Sequence, residues 1–318
     1  MICEETAMKI KKIIIIFAQW VALSIIMAIL WTVSMSFIPS LSEAETSVSQ
    51  EGMANFLFAL IAVSFINTAV VMYPTRRSRW HGIRLIAVVA LVVYSVQFLL
   101  GGLEAILFRA DLKIPIKLVY AQLASGAMFA LLFALVAVTF LGRIKKPITN
   151  PETPNTRLMM PKGEFVLKFF LLSVIFYPLI YFLFGYFVAW QFPAVREFYF
   201  DSTTILPFFE HMRTTLTANP VLPFWQMGRG ALWILVALPV IRMMKGTAGE
   251  VAITVGLIFA LVMNSQHLMP NPYMPASIRL PHFIETASSN FIWGMLITWL
   301  MYRSHVSLAG LFKKQVKI

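Results

Sequence analysis

The chain has 318 residues, of which 59% are hydrophobic and only 13% charged, with a mean hydropathy of +0.78. That composition excludes the pair of soluble domains ordinarily expected at this length and leaves a polytopic membrane protein. The net charge of +12 does not argue for a nucleic-acid partner, because cytoplasmic loops of membrane proteins collect Lys and Arg in any case, and the lone Cys3 excludes an intramolecular disulfide.

The N-terminus places Lys9, Lys11 and Lys12 before an apolar run, as a signal peptide does. That run, 13–37, is about 25 residues long against the 7 to 15 of a cleavable apolar region, so it reads as an uncleaved first helix. At about 20 apolar residues per crossing, further spans are predicted over 53–73, 83–108, 118–141, 165–190, 227–244, 251–268 and 283–302. The sixth is the weakest. Its apolar core is about 14 residues, so it crosses only if Met227 to Gly230 join the helix and bring Arg229 to an interface.

The expected fold is therefore all-α, a single integral membrane domain of about eight helices. With the N-terminus inside, nineteen of the 26 Lys and Arg fall on the cytoplasmic side and seven outside. A bias repeated at every inner loop predicts both termini in the cytoplasm, and the location expected is the plasma (inner) membrane.

Two connections interrupt this pattern. A cytoplasmic linker over 143–163 carries Pro147, Pro151, Pro154 and Pro161 and reads as irregular chain between two four-helix halves. The extracytoplasmic loop 191–226 is too long for a simple connector and too aromatic for disorder, with Phe198, Tyr199, Phe200, Phe208, Phe209 and Trp225. One or two short amphipathic helices at the interface, lidding the bundle, are expected there. No internal repeat is visible.

The start of the eighth helix holds most of the polar chemistry. At 100° per residue, His282, Glu285, Thr286, Ser289 and Asn290 share one arc of about 140°, opposite Phe283, Ile284, Ala287 and Phe291. The stripe runs about 12 Å inward, too deep into a 30 Å hydrocarbon core to face lipid. Polar neighbours are expected on the same side: Glu104, Arg229, Asn264, Gln266, His267 and Arg279. Their convergence would make an outward-open ligand pocket lined by His282, Glu285, Ser289 and Asn290, with Arg229 or Arg279 for an anionic group and Glu104 or His267 opposite. The competing reading is a buried network that only fixes helix packing.

Further residues narrow the chemistry. His282 and Glu285, at i and i+3, would supply two ligands or an acid/base pair, but no HExxH, nucleophile elbow or phosphate loop accompanies them. No metal or cofactor is expected. Glu210 and His211 point apart and read as interfacial, while Gln19, Asn67, Gln97 and Gln122 are expected to bond neighbouring helices. The prolines of Met269 to Pro281 preclude a regular helix and would hold Arg279 and His282 in place. The expected partners are the bilayer and a small-molecule or lipid-linked ligand that is bound and either moved or modified. A membrane-embedded enzyme using Glu285 and His282 is the alternative, and a structural or sensory subunit the third. An enzyme would show a closed-bottom pocket, a transporter a polar path beyond Asn290, and a scaffold no cavity and no unsatisfied polar group.

Overall fold

A computed structural model describes residues 2–38, 50–109, 114–146, 154–270 and 273–305. Residues 147–153 of the expected linker and 271–272 of the proline-rich loop lie outside them. Among the described residues the protein is helical, without a strand. Seven helices among the described residues are long and apolar enough to cross a membrane: α1 (Ile2–Ser36), α2 (Gln50–Arg76), α3 (Gly82–Leu107), α4 (Ile116–Phe140), α5 (Lys162–Gln191), α8 (Leu222–Met243) and α9 (Ala248–Leu268). Between α5 and α8 lie two short helices, α6 (Pro193–Phe200) and α7 (Phe208–Ala218). The last helix, α10 (Ala276–Met301), matches the others in length, but Glu285, Ser288, Ser289 and Asn290 make its first half too polar to join them on composition.

Helices are the form these runs must take, since a backbone in hydrocarbon has to satisfy its own N–H and C=O groups. Apolar side chains lie on both surfaces. Trp233, Ile234, Phe259, Trp293 and Ile297 are buried, while Phe58, Ile61, Leu131, Leu179, Ile253 and Ile292 stay exposed, as a surface meant for acyl chains would leave them.

Two helix boundaries next to the polar residues depart from the expected ones for identifiable reasons. α8 starts at Leu222 with a proline in its first turn, where a missing N–H is harmless, and so Arg229 sits two turns inside the helix, 3% exposed. α10 starts at Ala276, seven residues ahead of the apolar run, so the proline-rich loop is helical over its last six residues. Pro281 removes only one backbone bond there, and the Arg279 guanidinium ties the loop by donating to the carbonyls of His267 (2.8 Å), Met269 (2.6 Å) and Met274 (2.9 Å).

The helices pack as two groups, α1 to α4 and α5 with α8, α9 and α10, joined where α2 lies on α9 and α3 on α8 and α9. α9 and α10 approach backbone to backbone: a Cβ on Gly294 would lie 2.8 Å from Gly256 Cα. Three helices contain a single π turn, Ser95–Leu99 in α3, Leu171–Phe176 in α5 and Ile258–Val262 in α9, and those of α3 and α9 pack together at mid-bundle. An extra residue in a turn rotates everything beyond it, which re-aims side chains without ending the helix.

Candidate functional site

One end of the bundle encloses a cavity of about 800 Å³, within the range of small-molecule sites. Its wall is drawn from both groups of helices and from α6 and α7. α4 contributes Leu118 and Gln122, and α5 contributes Tyr177, Tyr181 and Tyr186 across from it. Eight of the nine expected site residues line this cavity: Glu104, Arg229, Asn264, His267, His282, Glu285, Ser289 and Asn290. Arg279 does not, being engaged with the three loop carbonyls.

Each wall residue is placed by its helix. The eighth-helix stripe turns inward, with Glu285, Ser289 and Asn290 buried and Ile284 and Ile292 on the outer face. Glu285 accepts from His282 Nδ1 at 3.1 Å, and His282 Nε2 lies 3.3 Å from the Tyr199 hydroxyl on α6. A neutral imidazole satisfies both, as Nδ1–H donor to the carboxylate and Nε2 acceptor from the phenol. His267, in the 3₁₀ turn that ends α9, stands with its ring 6.5 Å from that of His282.

Arg229 crosses between the two helix groups. Its guanidinium donates to Glu104 at 2.8 Å and to Gln226 at 2.9 Å, so α8 and α3 meet through a charge pair at the cavity edge. Tyr177 and Tyr181 lie within reach of the charges of Glu104, Arg229 and Glu285, which therefore converge on one region of the wall. The formal charges of Glu104 and Arg229 cancel, which leaves an amphipathic space with aromatic rings facing a polar flank.

The deep end is polar and under-bonded. Gln97, in the π turn of α3, is 1% exposed, and neither its Oε1 nor its Nε2 has a hydrogen-bond partner. Asn264 donates to the carbonyls of Phe259 and Ala260 just beyond the π turn of α9, leaving its Oδ1 without a donor. Asn290 reaches only the Met263 sulfur, at 3.6 Å, a weak acceptor. Beyond Asn290 the wall closes, with Trp293 and Ile297 fully buried and the Gly256–Gly294 contact leaving no channel between α9 and α10.

The other polar residues singled out in the sequence divide. Gln19 accepts from Arg76 and Asn67 from Ser265 at 2.8 Å, so each bonds a neighbouring helix. Gln97 does not, and Gln122 is exposed on the cavity wall. His211, expected at the interface, is 8% exposed and packs on Trp190 (4.8 Å) and Tyr186 (5.4 Å), where burial holds its imidazole below the ordinary value. Tyr199 comes to the wall from the aromatic loop expected to lid the bundle, but Tyr177, Tyr181 and Trp190 give no such signal, because an aromatic in an apolar run does not show which side it faces. Among the described residues no three His, Cys, Asp or Glu side chains are grouped to hold a metal ion. No protein family, curated protein or solved structure matches the chain.

Proposed function

We propose that this is an integral membrane protein of eight crossings, both termini in the cytoplasm of a plasma membrane, whose outward-facing cavity binds an amphipathic molecule. The ligand is a small polar or lipid-linked compound with its polar part toward Gln97, Asn264, Asn290 and Ser289. The buried and unbonded amide of Gln97 carries this reading. An amide buried against a cavity with both its oxygen and its nitrogen unbonded costs on the order of 1–3 kcal/mol unless something in the cavity bonds it. A ligand or ordered water in the adjoining cavity supplies the missing partners. The aromatic wall suits an apolar chain. The packed floor below Asn290 favours a binding pocket over an open conduit.

A second reading is favoured by the Glu285–His282–Tyr199 chain of contacts. A carboxylate, an imidazole and a phenol in hydrogen-bonding reach at the mouth of a closed-bottom pocket form an acid/base relay, and an enzyme that protonates or deprotonates the bound molecule would use it.

Native mass spectrometry of protein extracted in a mild detergent tests both. Binding predicts an adduct of a few hundred daltons on the wild type that is absent from Gln97→Leu, with the melting temperature of the variant equal or higher. An adduct that survives Gln97→Leu unchanged sinks the assignment. For the enzyme reading, Glu285→Gln retains the adduct and accumulates it; equal loss in both variants removes that reading and leaves binding alone.

A further inference from the structure

At the end opposite the cavity, the loops between helices form a second concave site with a different character. Arg79 and Trp80 lie in the α2–α3 turn, Arg84 in the first turn of α3, and Lys146 just past α4; together with Asn155 they line a basin of about 630 Å³. Among the described residues its lining has three permanent cations and no carboxylate. Glu250, at the start of α9, is engaged by Arg77 at 2.9 Å and by the Tyr73 hydroxyl at 2.8 Å.

The loops that carry these cations are fixed. Ser78 pairs with Met244 as a β-bridge, Arg79 N–H donates to the Met243 carbonyl at 2.6 Å, and Lys245 N–H to the Arg77 carbonyl at 2.7 Å. Gly82 takes φ +58°, which lets its N–H reach the Arg143 carbonyl at 2.9 Å, and a Cβ there would lie 3.1 Å from the Ile144 carbonyl oxygen. On the far wall the Asn155 amide donates to the Arg242 carbonyl at 2.8 Å. The guanidinium of Arg84 lies flat on Trp80, 3.7 Å from the ring centroid, so its position too is set by packing.

Two further features point to one ligand class. α3 starts in the basin without a side-chain cap and without an acidic residue in its first turn, so no charged side chain of that turn offsets its positive end. The basin also lies within one turn of the ends of α2 and α3, at the level where a membrane protein meets phospholipid headgroups, and Trp80 is a residue of that zone. We propose that it binds the phosphate of an anionic phospholipid, with Arg84 and Lys146 around the phosphate oxygens and the acyl chains along the outer faces of α2 and α3. The site is separate from the cavity, and neither assignment depends on the other.

The probe is short-chain phosphatidylglycerol titrated onto the full-length protein in nonionic detergent, read by native mass spectrometry and thermal unfolding, beside phosphatidylcholine of the same chain length and inorganic phosphate. The wild type retains phosphatidylglycerol, and the double variant R84Q/K146Q binds it at least about tenfold more weakly. A double variant at another exposed basic pair on the same side, K11Q/K12Q, retains wild-type affinity. Lys146→Gln alone, an exposed loop position, weakens binding about threefold and serves should the double variant fold poorly. Equal binding of phosphatidylcholine, equal weakening by K11Q/K12Q, or undiminished binding to R84Q/K146Q overturns the proposal. Saturation by inorganic phosphate at the concentration that saturates with lipid also overturns it, since the site would then be for a soluble anion.

Discussion

Arg229 on α8 donates to Glu104 on α3 at 2.8 Å, across 125 positions of sequence, and the two side chains differ in burial at 3% and 28% exposed. The pair is asymmetric in consequence: the cation depends on the acid far more than the acid on the cation.

Replacing Glu104 with Ala leaves the Arg229 charge buried with only Gln226 as partner. The expected loss is roughly 2–3 kcal/mol, below the range for a fully buried pair because Glu104 keeps some solvent. Arg229→Met combined with Glu104→Met recovers most of it. A double-mutant cycle on thermal unfolding in detergent measures the coupling, and independent effects of the two substitutions would show that the pair contributes nothing.

Glu285→Gln keeps a hydrogen-bonding group against His282 and removes only the charge. Melting should shift by less than the cost of a lost buried bond, about 1 kcal/mol, whereas Glu285→Leu, which leaves His282 Nδ1–H without an acceptor, costs about 1–3 kcal/mol. Similar losses in both would mean the charge matters to folding.

A methyl group on Gly294 meets the backbone of Gly256 at 2.8 Å, and neither helix can yield without separating. Gly294→Ala is expected to destabilise by about 1–3 kcal/mol through overpacking. Gly185→Ala on α5, where an added Cβ meets nothing within 4 Å, should be neutral or stabilising, since alanine restricts the unfolded chain. Circular-dichroism melts of the two variants side by side decide it.

His211 sits among the rings of Tyr186, Trp190 and Phe200, and burial depresses its pKa below the ordinary 6.5. The unfolded segment therefore binds a proton more readily than the folded one. The contribution is complete above pH 6.5 and is lost as pH falls from there toward the folded value. Protection factors of the α7 amides, taken against the intrinsic exchange rate at each pH, should fall between neutral and mildly acidic pH in the wild type and stay flat in His211→Phe.

The polar stripe of α10 could be located from its own residues because periodicity needs only an ordinary helix, and Glu285, Ser289 and Asn290 lie in a regular stretch of one. The same reasoning misjudged Gln97. Its helix carries a π turn over that very residue, and an extra residue per turn rotates a side chain away from the neighbour a 3.6-residue period would give it. Arg279 looked like an anion ligand because its charge was visible, while the three carbonyls that occupy it come from a loop whose path no periodicity describes.

Length, hydropathy and charge were enough to determine a helical chain with spans long enough for a bilayer, since each helix satisfies its own backbone and its composition is a local property. Helix packing alone decided that Glu104 would meet Arg229, that Tyr199 would come down onto His282, and that the space above Asn290 would stay open while the space below it closed. Those outcomes depend on contacts between residues tens to more than a hundred positions apart, and in a chain where most positions are apolar, any one of many pairings would bury the same hydrophobic area.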